Sequence, residues 1–277
     1  NDWKATRRLT LNLGLRWEVT LPTTERYNRH TFGLERTASN PIEAQAKANY
    51  AKNPIPELAV QDFKVIGGLL FTSPEQRRNG YADMNNWGPR IGLAYRLAPG
   101  SVLRAGIGMF YNYYWAPFVR ADGFASETSM VTTLDGGRTP ADLLKNPFPQ
   151  GLVQPIGSRL GMRTLLGQNI QAYDQNRKAF ASTRWNFGLQ QEIGPSMAVE
   201  INYVGQRGSD LPLSSTSGSD DTRDLNFLPA QYLALGSKLQ DTVANPFVGL
   251  IDSGNLSRTT VARRQLLLRY PHFGTVN

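Results

Sequence analysis

The chain has 277 residues, with 30 Lys and Arg against 22 Asp and Glu for a net charge of +8, and it contains no cysteine. Thiol catalysis, disulfides and Cys-type zinc sites are therefore excluded. The basic residues are scattered, and their densest groups are pairs such as Arg7-Arg8, Arg77-Arg78 and Arg263-Arg264. No basic helix or stripe of the kind that grips nucleic acid is present, so no nucleic-acid partner is expected. No run of about 18 apolar residues occurs, which excludes a transmembrane helix but leaves open a spanning strand of about 9–11 residues.

The chain opens at Asn1 with neither an initiator Met nor the basic and apolar regions of a signal peptide, so the expectation is an excerpt of a longer protein. Residues 9 to 21, LTLNLGLRWEVTL, then alternate without a break: Leu9, Leu11, Leu13, Leu15, Trp17, Val19 and Leu21 fall at odd positions, polar or small residues at even ones. Successive strand side chains point to opposite faces, so this predicts a long strand with one greasy face. A long segment, 22–86, follows, and Ile42 to Lys52 within it is predicted helical. Two more alternating runs, 87–97 and 103–113, are joined by Ala98-Pro99-Gly100-Ser101, a tight hairpin turn.

The second long segment, 114–184, is predicted to hold a short helix at Thr139 to Leu144, with Thr139 as N-cap and Pro140 at the first helical position. Alternation returns at 185–193 and 197–207, again around a short turn, Gly194-Pro195-Ser196. The last segment, 208–277, carries a predicted helix from Leu228 to Gly236, with Pro229 at its start and the glycine at its end. The five strands share one design, marred at Phe110, Gln191 and Val204.

Short and long connections alternate along the chain. Structureless loops beyond about 12–15 residues are uncommon in compact domains, whereas outer-membrane barrels combine brief periplasmic turns with long extracellular loops. The polar face agrees with a barrel wall, since it carries Gly14, Gly88, Gly92, Gly106, Gly108 and Gly188, interleaved with Arg16, Arg90, Arg96, Arg104, Glu18, Glu192 and Glu200. Strand glycine marks bending or close approach of another group. Trp17, Trp87, Tyr111, Tyr113, Trp115, Trp185 and Tyr203 lie near strand ends, as in the aromatic girdles at membrane interfaces. Ordinary core aromatics of a β-sandwich are the alternative on pattern alone.

Chemistry-bearing motifs are scarce. His30 and His272 are the only histidines and are far apart in sequence, so neither a metal pair nor an acid-base relay is expected, and both read as surface or structural. Neither a phosphate-binding loop nor a nucleophile elbow occurs. Ser217 to Asp224 offers oxygen ligands but lacks the acid spacing of a calcium loop, so a solvated acidic turn is favoured there. No enzyme activity, metal or cofactor is expected.

NDWKATRRLTLNLGLRWE, NNWGPRIGLAYRL with SVLRAGIGMFYNYYW, and RWNFGLQQEI with AVEINYVGQRGSDL together resemble the barrel of TonB-dependent transporters. The Oar-like branch, which carries a carboxypeptidase-regulatory-like domain ahead of the plug, is the most similar; LPAQYLALGSKLQDTVANPFVGLI and RRQLLLRYPHFGTV resemble its loop segments. The resemblance implies an outer-membrane barrel of about twenty-two strands filled by an N-terminal plug and energised through TonB, a size typical of plugged transporters. The plug, the TonB box and the N-terminal domain have no counterpart here.

The expected fold is all-β: an antiparallel transmembrane barrel segment, 1–277, with long extracellular loops, forming a curved open sheet with poorly constrained loops in isolation. The expected function is uptake of an oligosaccharide, peptide or metal chelate at the outer membrane of a Gram-negative bacterium. Expected partners are outer-membrane lipid, the protein's own plug, TonB and the unidentified extracellular ligand. Arg16, Arg90, Arg104, Glu192 and Glu200 are the candidates on the inner wall, with Tyr27, Tyr81 and Tyr173 in the loops as stacking platforms for ligand. A surface adhesion or envelope-structural protein on the same scaffold, and a soluble β-sandwich binding module, are the alternatives.

Overall fold

A computed structural model describes residues 2–112, 120–171, 174–211 and 224–276. In chain order the elements are β1 (Asp2–Lys4), β2 (Leu9–Glu18), β3 (Thr31–Ser39), α1 (Glu43–Tyr50), β4 (Ile66–Phe71), β5 (Asn86–Ala98) and β6 (Ser101–Asn112). They continue with β7 (Phe180–Glu192), β8 (Ala198–Ser209), β9 (Thr242–Ala244), β10 (Thr260–Ala262) and α2 (Arg263–Leu266). No helix among the described residues is long and apolar enough to cross a membrane, which says nothing about strands that do.

The chain divides into two compact units. The first, 1–22 with 80–117 and 176–221, holds a six-stranded antiparallel sheet in the order β1-β2-β5-β6-β7-β8. It is open, with β1 and β8 as its edges. Each alternating run from the sequence has its described residues mainly in one of these strands, although β2 stops at Glu18, β7 starts at Phe180, and Tyr113 at the end of the third run lies outside the described residues.

Register converts five separate alternations into two continuous faces. Leu13, Ile91, Ile107, Trp185 and Gly205 lie side by side across β2, β5, β6, β7 and β8, as do Leu11, Leu93, Ala105, Phe187 and Tyr203. On the other face the rows read Asn12, Gly92, Gly106, Asn186, Val204 and Thr10, Ala94, Arg104, Gly188, Asn202. A slip of one residue would exchange the faces, so the pairing of the apolar rows specifies the register. The apolar face is bare: Leu15 is 68% exposed and Ile201 69%. Trp17 and Trp87, directly opposite one another, stack with ring centroids 5.8 Å apart, and the Trp17 indole N–H donates to the Met84 carbonyl at 2.8 Å.

The glycines of the polar face are explained by their neighbours. A Cβ on Gly106 would lie 2.6 Å from the Asn186 side-chain oxygen, and the Asn202 amide occupies the equivalent space over Gly188. Each asparagine thus folds flat across a glycine of the adjoining strand, which keeps this face thin and polar.

The second unit, 23–79 with 118–175 and 222–277, draws on all three long segments. One buried cluster joins Leu34, Tyr50, Phe63 and Leu69 from the first segment, Leu166 and Ile170 from the second, and Phe247, Leu266, Tyr270 and Phe273 from the third. Tyr50 and Phe63 stack at 4.3 Å, and the Tyr50 hydroxyl donates to the Leu58 carbonyl at 2.7 Å. The expectation of poorly constrained loops is therefore wrong for these residues. They bury large aromatic side chains, each removing about 150–250 Å² from water, and fold around a common core.

Buried asparagines staple that core by satisfying backbone that no ladder reaches. The Asn226 amide donates to the carbonyls of Tyr270 at 3.0 Å and Gly274 at 2.6 Å, and its oxygen accepts from the Tyr270 N–H at 2.7 Å. Asn245 does the same for Leu256 at 2.8 Å, Arg258 at 2.6 Å and Phe247 at 2.9 Å. Arg263 reaches both Glu57 carboxylate oxygens, at 2.8 and 2.9 Å, with each side chain 17% exposed.

Two helix expectations need correction. Residues 139–144 are not helical: the Thr139 hydroxyl bonds Asp135 instead of capping, and the N–H groups of Ala141 and Asp142 donate to the carbonyls of Thr132 and Val131. The predicted helix ending at Gly236 is a 3₁₀ stretch from Ala230 to Gln240, in which Gly236, at φ 54°, is an internal kink. The helix expected over 42–52 is α1.

A cation at mid-strand on the apolar face of such a sheet is costly only if that face meets lipid. Leu13→Arg in the full-length barrel is expected to cost roughly 2–4 kcal/mol and to reduce the heat-modifiable, folded species on gels. Gln190→Arg, on the opposite face, is expected to assemble normally.

Candidate functional site

The polar face of β2 and β5–β8 carries all five wall residues predicted from sequence, because Arg16, Arg90, Arg104, Glu192 and Glu200 have the same parity in the register. Their surroundings differ. Arg16 is neutralised by Glu18 on its own strand. Glu200 accepts a hydrogen bond from the Asn202 amide at 2.9 Å. Glu192 belongs to the short-turn end: its N–H donates to the Gly100 carbonyl at 2.8 Å, and its side chain lies against Gly100, whose φ of +75° suits the turn.

Arg90 and Arg184 form a different arrangement. They flank Gly108 on neighbouring strands, and the Phe110 ring, two residues further along β6, meets both, with the guanidinium carbons 4.7 and 5.6 Å from its centroid. Gly108 makes this possible, since a Cβ there would sit 3.1 Å from the ring and 3.4 Å from the Arg90 side chain. Arg104 lies between Ala94 and Gly188, and so rises from small neighbours. Among the described residues, Arg90, Arg104 and Arg184 have no carboxylate within ion-pair distance.

Sequence reasoning missed Arg184 and treated Phe110 as a flaw in the alternation. The available signal was that an aromatic on a polar strand face, two residues after a glycine and in register with arginines, has a π face to offer cations.

The loop aromatics separate. Tyr27 is in the second unit, 62% exposed, with the guanidinium carbons of Arg29 and Arg26 at 4.9 and 5.6 Å from its ring centroid. Beside it the Glu25 carboxylate accepts from the N–H groups of Tyr27 at 2.7 Å and Arg29 at 2.8 Å, and the Arg29 N–H is the foremost cause holding its pKa below the usual value. Tyr27 is therefore already engaged by cations. Tyr81 is in the first unit and 51% exposed, while Tyr173 lies outside the described residues. Of the acidic stretch at 217–224 only Asp224 is described, and it accepts from the N–H groups of Asn226 and Val276, a structural use.

Both histidines are buried in the second unit. His272 approaches the Gly67 carbonyl at 3.3 Å through Nε2 and contacts the Phe273 ring at 4.3 Å, and burial pushes its pKa down to about 4. Burial lowers the pKa of His30 as well. No group of three or more His, Asp or Glu among the described residues is placed to hold a metal ion.

The sheet, its two contrasting faces and its rhythm of turns are those of an outer-membrane barrel wall, and the comparisons agree. The outer membrane beta barrel domain family matches residues 1–277, and the chain belongs to that family. Neither the curated proteins nor the solved structures yield a match. The protein thus resides in the outer membrane of a Gram-negative bacterium, which overturns the soluble β-sandwich alternative. Outer-membrane barrels turn an apolar face to lipid and a polar face inward, and the polar face here is the one bearing Arg90, Phe110 and Arg184.

The buried histidines give the second unit an acid sensitivity. His272 ionises at about 4 when folded, against an ordinary 6.5, so the unfolded chain binds more protons between these values and stability rises with pH there. The contribution is present above pH 6.5 and lost as pH falls toward 4. Limited proteolysis of the intact protein is expected to cut the second unit faster at pH 5 than at pH 7.5, and His272→Gln is expected to flatten that difference.

Proposed function

We propose that this chain is barrel wall and outer loops of a TonB-dependent transporter of the Oar-like branch, taking up an oligosaccharide, a peptide or a metal chelate. The observation that supports the reading best is the single core shared by the three long segments. A pore with open access has no need of such an outer structure, whereas a receptor that recognises a scarce ligand needs rigid elements to hold its binding residues. The thin, glycine-rich inner wall supports it too, because side chains that fold flat over glycine leave room for a plug. In this reading the plug fills the lumen, TonB supplies energy from the periplasmic side, and the chain carries no enzyme activity.

A surface-attachment role is the second reading, favoured by Leu134 and Leu144, which are 86% and 87% exposed in the second long segment. Depletion of oligosaccharides, peptides and metal chelates from medium, followed by mass spectrometry in cells with and without the gene, separates the two. Uptake predicts that one class disappears only in the presence of the gene and only while the proton gradient is intact. Depletion indifferent to gene and uncoupler, together with a loss of cell attachment in the mutant, would instead support adhesion.

A further inference from the structure

The inner wall distributes its charge unevenly. Arg16 has Glu18 beside it, and Glu192 and Glu200 lie toward the short-turn end, in rows with Ala198 and Gln190. Between these groups the row Gly14, Arg90, Gly108, Arg184, Gln206 contains two cations and no acid. Arg104 lies four residues further along β6, two residues short of the row that holds Glu200. Four residues span about 13 Å of strand, so the acid-free patch is that of Arg90 and Arg184.

The patch carries little side-chain bulk around its two cations. Gly108 and, in the next row, Gly92 and Gly106 form its floor, and the Asn186 side chain lies over Gly106. Phe110 offers one ring to both Arg90 and Arg184, which restrains two flexible side chains. The Arg90 Nε is buried without a hydrogen-bond partner. A carboxylate alongside would satisfy that donor and neutralise the charge, as Glu18 does for Arg16, yet none is present among the described residues. Fixed, uncompensated cations between low-dielectric walls concentrate anions, and guanidinium forks match the planar oxygens of carboxylate and the oxygens of phosphate.

We infer that Arg90 and Arg184, braced by Phe110 over a glycine floor, form an oxyanion-binding station on the inner wall, and that the solute taken up bears a carboxylate or phosphate group. The inference deepens the transporter reading and rests on it only in treating this wall as a solute path. Among the three ligand classes it selects acidic members: uronate- or phosphate-bearing oligosaccharides, acidic peptides or anionic chelates.

Arginine modification of the full-length protein in outer-membrane vesicles tests the station without any uptake. Phenylglyoxal adducts would be quantified peptide by peptide, in inorganic phosphate and in chloride of equal ionic strength. Phosphate near ten times its dissociation constant is expected to slow modification of Arg90 and Arg184 about tenfold, and to leave the exposed Arg138 of the second long segment unaffected. Phe110→Leu keeps the position apolar but removes the ring, and is expected to abolish most of the protection while the barrel remains heat-modifiable. Equal rates in phosphate and chloride, or an Arg90 and Arg184 pair inert in both, would overturn the station. Failure of TonB-dependent uptake alongside intact protection would overturn the transport reading and leave the anion site standing.

Discussion

Hydrocarbon offers the backbone no hydrogen-bond partner, and every feature of the first unit follows from that. An antiparallel ladder satisfies N–H and C=O groups within the sheet, and its period of two leaves one face for lipid and one for the interior. Among the described residues the strands from β1 to β8 meet this condition by pairing with their neighbours, and β8 on one side and β1 with the uncovered part of β2 on the other form the open edges. Further strands at those edges would close the wall, since an open edge in lipid costs several kcal/mol for each unsatisfied group.

The inward face shows how such a wall is kept thin without becoming apolar. Glycines remove side-chain bulk, and asparagines from the next strand cover the exposed backbone with amides, as Asn186 does over Gly106. The same device lets Phe110 meet both Arg90 and Arg184. Cation–π contacts of this kind contribute about 0.5–2 kcal/mol each, the larger value when water is excluded. They position charge more than they stabilise the sheet. The long segments follow the opposite rule: they fold like a water-soluble protein, around Tyr50, Phe63, Phe247 and Tyr270, with buried asparagines where regular ladders are lacking.

The wall was legible in sequence because its signal is periodic and local. Each alternating segment reports its own faces, and equal parity places Arg16, Arg90, Arg104, Glu192 and Glu200 together once the strands pair. The second unit was not legible, because its order comes from contacts remote in sequence. Asn226 bonds the backbone of Tyr270, 44 residues away, and Arg263 pairs with Glu57 across 206 residues. The helix expected at 139–144 failed for a related reason: capping chemistry was read correctly as a preference, but Asp135 competes for the Thr139 hydroxyl and the backbone pairs with residues 131 and 132. At Phe110 the alternation rule failed where the site is, since a residue out of pattern there serves the arginines beside it.

The absence of cysteine allows the central claim, lipid on one face and a wet interior on the other, to be read residue by residue. Single substitutions Val199→Cys, Glu200→Cys, Ile201→Cys and Asn202→Cys along β8 of the full-length protein would be labelled in outer-membrane vesicles with a membrane-impermeant maleimide and with a lipid-soluble one. The account predicts strict alternation, with Glu200→Cys and Asn202→Cys reached from water and Val199→Cys and Ile201→Cys reached from the lipid. Uniform labelling of all four by the water-soluble reagent would contradict it.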